Sequence, residues 1–518
     1  MAESSIVESL FNESEPLGPI VAEKSLSSPN RLKEIFDDQN DLFHQLNHQR
    51  SIIVGRKGSG KTTLLNSVSI LESNAIVIYL ESADIFSQIV EQVDEVSVGT
   101  EFVEQIGRLW EVLLWSLVFA ELVKISSDRL LSDYLNGLGV SSNLTPYEMI
   151  DVALNTVAGF PPTAKPVPQK IAYTRINNIS YMEARNRACE ILDEHKARAY
   201  ILMDSLEDFK LHIEAHATAI SGLLRCIGDF SEFSDRCILR CCLPAEKYFD
   251  FERISTNPLK DFRGQILLHW RSIELVQMAA KRYAKYLGRY EPDFYRLEVA
   301  SLNLSSRDDL HQFWDQILPD EIRNRNGVVE KPLAYALRHT QLLPRHFLVI
   351  LTEILSYAIK VDKTAYAVSE EAVIHGINMA EDKIQQQIIE AYSSPFRSVQ
   401  EACEVVLRDL PTKFGWSEFD EVAARAKGKI YGIENRTDLM SLLTEIGAVG
   451  RLVRETDKYF EAVFEYMVPH RLIVSTRDEF CIHPVFTEVY NANSEYLGSK
   501  PVYTYWSKIV HDKMDIWT

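Results

Sequence analysis

Apolar residues follow two patterns along this chain, short unbroken runs and helical spacing, and their order predicts the architecture. Four runs read as buried strands: "SIIVG" (51–55), "AIVIYLES" (75–82), "AYILMDSLEDF" (199–209) and "RCILRCCLP" (236–244). Around them "RLKEIFDDQNDLFHQLNHQ", "TTLLNSVSILE" and "YMEARNRACEILDEHKA" repeat their apolar residues at helical spacing. Residues 83–198 read as mainly helical and include a tryptophan-rich helix over 101–125. "FPPTAKPVPQK" (160–170) punctuates that region, because its prolines fit neither a helix interior nor a central strand. Beyond 244 the pattern is almost wholly helical to about residue 430. It then changes to a helix, "TDLMSLLTEIG" (437–447), followed by "GRLVRE", "KYFEAVFEYMV" and the hairpin-like "RLIVSTRDEFCIHPVF". A helix followed by strands in this order predicts a winged-helix module. Strands alternating with helices in the first half predict an α/β class with a parallel sheet.

Composition narrows the picture. With 518 residues the chain exceeds what one hydrophobic core serves, and its 46% apolar and 25% charged content is that of globular domains. A net charge of −19 argues against non-specific grip on nucleic-acid phosphates or anionic lipid. The opening "MAESSIVESLFNESEP" carries acids and no basic stretch, so no secretory signal is expected. "LWEVLLWSLVFAELVKI" is interrupted by Glu111 and Glu121, so no membrane span is expected. Seven cysteines without paired spacing point to a reducing, cytoplasmic compartment. Cys226, Cys237, Cys241 and Cys242 cluster as a zinc site would, but the last three fall in the fourth predicted strand, which favours the structural reading over the metal one.

The sharpest chemical signal is "GRKGSGKT" (55–62), which fits G-x-x-x-x-G-K-[ST] between an apolar strand and a helix. Gly55, Gly58 and Gly60 allow a tight turn whose N–H groups face phosphates. Arg56, Lys57, Ser59 and Thr63 complete the expected cradle. Lys61 is expected to reach the β and γ phosphates, and Thr62 to offer its hydroxyl to Mg²⁺. No guanine-reading "N/T-K-x-D" element stands in a convincing place, so ATP is the expected nucleotide.

Such a site also needs a carboxylate at the tip of a neighbouring strand and a group that orients the attacking water. "YILMDSLEDF" offers Asp204 as the metal-side acid, with Glu207 as the first candidate base and Asp208 as the alternative.

With these motifs placed, the chain resembles AAA+-related P-loop ATPases. It looks closest to the STAND- and KAP-type NTPases of bacterial signalling and antiphage defence, whose strand ends in Asp and a short acidic tail like "DSLED" (204–208). The resemblance implies a core over 31–270 after a flexible tail (1–30), a helical lid over 271–395 and a winged-helix-like domain over 396–518. It implies sensing roles for Arg240 in "ILRCCLP" and for Arg345 in "LLPRHF", where Pro344 suits a first helical turn. Arg253, Arg263 and Arg271 are arginine-finger candidates, and Ile35 and Phe36 are expected near adenine. The stretch of about 115 residues between the second and third strands exceeds a plain core and reads as a helical insertion offering a partner surface.

The implied function is an ATP-binding and ATP-hydrolysing switch that assembles as a homo-oligomer and controls a separate effector protein, with antiphage defence as its setting. The alternatives are a DNA-handling ATPase of the origin-recognition or helicase-loader type, and a nucleotide-stabilised scaffold with little turnover. Against DNA reading, "TDLMSLLTEIG" holds no Arg, Lys, Asn or Gln for base edges; "ARAKGK" and "GRLVRE" suit phosphate contact alone. His470 and His483 lie in apolar surroundings and read as structural.

Overall fold

Branched and aliphatic side chains on both faces suit strands covered on both sides. Those runs form Ile52–Gly55 (β1), Ala75–Glu81 (β2), Arg198–Asp204 (β3) and Cys237–Pro244 (β4). The apolar pattern did not single out Gln265–Leu267 (β5), only three residues long. All pairings are parallel, in the order β2-β3-β4-β1-β5. The structure is a computed structural model describing residues 10–21, 29–37, 42–46, 51–81, 100–141, 143–146, 148–149, 152, 179–204, 206, 213–262, 264–394, 396–426, 428–430, 433, 435–467, 472–490, 500–504, 509–510 and 513–514. The chain divides into two compact units, residues 26–269 and residues 1–25 with 270–518.

In the first unit, alternation along the strands separates two cores. Ile53, Tyr200, Leu202, Ile238 and Cys242 face Leu64, Leu65 and the short helix Leu42–Gln45 (α1). Ile52, Val54, Ile201, Met203, Leu239 and Cys241 face the larger layer. That layer is built from Thr100–Ser126 (α2), Ile179–Glu194 (α3) and Glu214–Phe233 (α4). Trp110 and Trp115 of α2 are buried, and Trp110 Nε1 donates to the Ala219 carbonyl of α4 at 3.1 Å. Glu111 of α2 is neutralised by Arg185 at 2.7 Å and accepts from the Tyr181 hydroxyl at 3.0 Å. The helix read from sequence as part of a partner-facing insertion is therefore core, and its long apolar run packs on the sheet. No helix among the described residues is long and apolar enough to cross a membrane. The proline-rich 160–170 stretch lies outside the described residues.

The second unit opens with Ser272–Tyr290 (α5), whose buried face carries Leu275, Met278, Tyr283 and Leu287. Part of the tail expected to be flexible is packed: Phe11 and Leu17 are buried, Tyr290 Oη donates to the Phe11 carbonyl at 2.8 Å, and Arg282 donates to the Pro19 carbonyl at 3.2 Å. Apolar residues scattered among Ser, Glu and Pro carry no periodicity, so this docking left no pattern to read. Pro332–Arg338 (α6), Pro344–Tyr357 (α7) and Glu370–Ser393 (α8) continue the helical part. The last part runs Val399–Val406 (α9), Lys413–Gly415 (β6), Trp416–Ala426 (α10), Arg436–Glu445 (α11), Val449–Glu455 (β7), Phe460–Val463 (β8) and Glu479–Ile482 (β9). β9 pairs antiparallel with both β6 and β7, which is a winged-helix arrangement. The hairpin expected of "RLIVSTRDEFCIHPVF" does not form among the described residues: the described part of "RLIV" is not strand, and β9 takes partners distant in sequence.

Candidate nucleotide site

The loop after β1 leaves the sheet beside β4, with Gly55 opposite Pro244. Here the sheet changes direction: the chain crosses from β1 to β2 on one side and from β4 to β5 on the other. Ligands of open parallel sheets bind outside the strand ends at such a switch point. Gly58 and Gly60 take φ of 91° and 95°, the left-handed region where a Cβ is penalised. Gly55 serves close approach instead, since a Cβ there would stand 2.4 Å from Ser59 Oγ and 3.2 Å from Lys61 Cγ. Lys61 Nζ donates to the loop's own carbonyls, Gly55 O at 2.9 Å and Arg56 O at 3.2 Å, which keeps the ammonium inside the turn. Arg56, Lys57, Thr62 and Thr63 are half-buried around it and Ser59 is buried.

Asp204 ends β3, buried, at the same edge of the sheet. Cys242 lies on β4, the strand between the loop strand and the Asp204 strand. Burial pushes its thiol up most, Asp204 pushes it further, and Lys61 pulls it back. A cation on the loop and a carboxylate one strand beyond β4 suit a magnesium–triphosphate, which needs both charges. Thr62 and Asp204 are the residues that would hold Mg²⁺, and the ion would supply charge neutralisation on the phosphates.

The β2-β3-β4-β1-β5 order sets one strand, β4, between the loop strand and the Asp204 strand. The fold is that of a P-loop NTPase, a parallel sheet with a phosphate-type loop between its first strand and the following helix.

Other expected residues fall as follows. Glu207, Asp208 and Arg263 lie outside the described residues, as does His470. Arg240 does not stand at the strand end where a phosphate sensor would be needed. It lies four residues before Pro244, roughly 13 Å back along the strand. Its guanidinium is buried over the rings of Phe43 and Tyr200, at 5.3 and 5.0 Å, and donates to the Leu46 carbonyl at 3.0 Å. Burial pushes this arginine down to about 10. Strand alternation decides the matter, because an even position here faces α1. Arg345 opens α7 behind Pro344 and is half-buried, and its Nε is buried with no hydrogen-bond partner among the described residues. Just before it Leu342 takes a left-handed φ of 51°, a strained conformation of the kind found at functional turns. Arg253 and Arg271 are exposed and paired with Asp250 and Glu274. Ile35 is buried and Phe36 half-buried. Sequence reasoning missed Glu246, which follows β4 and accepts the Lys57 amide at 2.7 Å. Only the β1–β4 pairing, invisible in sequence, brings it to the loop.

No family model and no curated protein matches this sequence. Among solved structures the chain is similar to the Aeropyrum pernix ORC2 protein in its ADPNP–ADP complexes. That likeness has a TM-score of 0.37 and 12% identity, covering 86% of this chain and 87% of that one. The ADP form of the same protein is similar at a TM-score of 0.30 and 11% identity, covering 95% and 100%. The fold assignment rests on strand order and loop, not on likenesses this distant.

Proposed function

We propose that this chain binds and hydrolyses ATP with Mg²⁺ and acts as a regulatory switch, forming a homo-oligomer in the ATP state and passing its output to a separate effector protein. The observation that carries the nucleotide chemistry is the glycine-turned loop after β1, which holds Lys61 Nζ on the Gly55 and Arg56 carbonyls, with Asp204 buried at the end of β3 on the same side of the sheet. The loop amides and Lys61 hold the phosphates, and Asp204 and Thr62 hold the ion. The switch reading is supported by the way the chain is built, with an ATP site, a helical region and a winged helix on one polypeptide. A setting nearer the STAND and KAP types, including antiphage defence, rests on the "DSLED" tail alone.

A DNA-handling role is the second reading, favoured by the winged-helix order of α9 to β9. Its recognition-type helix weakens it. Leu439, Met440, Leu442 and Leu443 of α11 are buried, Arg436 is engaged by Asp420, and Asp438 is exposed. The deciding experiment measures solution mass without nucleotide, with ADP, and with a non-hydrolysable ATP analogue plus Mg²⁺, alongside ATP turnover with and without duplex DNA. An oligomer specific to the analogue supports the switch. Constant mass with DNA-stimulated turnover moves the function to DNA handling.

A further inference from the structure

Glu246 stands two residues beyond Pro244, in the crevice between the ends of β1 and β4. One carboxylate oxygen, Oε1, is fixed by the Lys57 amide of the phosphate loop at 2.7 Å. The other, Oε2, is buried with no hydrogen-bond partner among the described residues. A buried carboxylate oxygen without a donor is costly to keep, and native structures retain such groups where a ligand or water supplies the missing bond. Anchoring by a backbone N–H holds the carboxylate still and leaves its second oxygen available. A proton acceptor must lie within hydrogen-bond reach of the water it activates, and this one is tied to the loop that grips the phosphates.

We propose that Glu246 is a catalytic carboxylate of this site, receiving the proton of the attacking water at the γ-phosphate. The inference rests on the ATPase reading above. The water oxygen forms a bond to the γ-phosphorus, and the bond from that phosphorus to the β–γ bridging oxygen breaks. The electron pair leaves on ADP. The water's proton passes to Glu246 Oε2 and then to solvent or the departing phosphate, restoring the carboxylate. The Lys57 amide positions the acid throughout, so loop and base move together.

The test uses the full-length protein as wild type, Glu246→Gln and Glu246→Ala. Gln retains an oxygen for the Lys57 amide and loses the base, whereas Ala loses both. Three quantities are measured: binding of a fluorescent ATP analogue, single-turnover phosphate release with Mg²⁺, and hydrogen exchange at the Lys57 amide without nucleotide. Expected are binding within about threefold of wild type for Gln, and phosphate release slower by about 100-fold or more in both variants. Exchange at Lys57 should accelerate in Ala but not in Gln. Phosphate release by Glu246→Gln within about threefold of wild type overturns the proposal and leaves the ATPase reading standing. Loss of binding in Glu246→Gln overturns it too, since the residue would then hold nucleotide rather than water. A wild type that binds ATP without releasing phosphate overturns both.

Discussion

Gly107 and Gly222 face one another where α2 crosses α4, so closely that a Cβ on Gly222 would stand 2.9 Å from the Gly107 nitrogen and 2.6 Å from Ile106 Cγ2. Neither glycine is needed for its φ. Both are needed for helix approach, which lets the tryptophan-rich helix lie deep against the sheet.

Gly222→Ala should therefore destabilise the core in spite of alanine's higher helix propensity. Overpacking costs about 1–3 kcal/mol, against the ~1 kcal/mol alanine gains in a helix. Chemical denaturation should show a net loss, and a variant as stable as wild type would mean the crossing is looser than described.

Lys61→Ala should abolish nucleotide binding, because the loop loses the cation held at its centre. Asp204→Asn should retain nucleotide and lose the Mg²⁺ requirement together with turnover. Titration with a fluorescent analogue, with and without Mg²⁺, separates the two.

In the second unit Glu330 is buried and accepts both Arg338 Nε and Nη2 at 3.0 Å, and the Tyr503 hydroxyl at 2.7 Å. Glu330→Gln leaves a buried guanidinium without its counter-charge. The expected cost is about 3–5 kcal/mol, read as a lower urea midpoint for the transition of residues 270–518.

His339 is buried, and burial holds its imidazole well below the ordinary value of 6.5, with Arg338 adding to the effect. The Tyr335 carbonyl, 2.7 Å from Nδ1, works the other way, while Arg325 and His483 lower it further. The folded state therefore binds fewer protons than the unfolded one. Stability should fall as pH drops below about 6.5, with a slope approaching about 1.4 kcal/mol per pH unit from this residue. His339→Gln should flatten that part of a urea stability profile between pH 7.5 and 5.5, and an unchanged slope would mean the histidine is charged in the fold.

Much of this protein is local in origin and therefore legible in its residues. The four apolar runs became β1 to β4 because branched side chains on both faces leave a strand little choice but burial. The glycines of "GRKGSGKT" announce positive φ, and Gly58 and Gly60 have it. The helix and strands of the winged-helix part also follow from short-range pattern and capping, as where Asn435 accepts the Asp438 amide at the start of α11.

What only the tertiary structure decided is whatever depends on which strands become neighbours and which face a residue takes. The β1–β4 pairing brings Glu246 onto the amide of Lys57, 189 positions away in the chain. Alternation along β4 turns Arg240 toward Phe43 and Tyr200, away from the phosphate end. The crossing at Gly107 and Gly222 draws the tryptophan-rich helix into the core. Local sequence sets the conformation of a segment, but contact between distant segments is chosen by how all the apolar faces are buried together, and no single stretch carries that information.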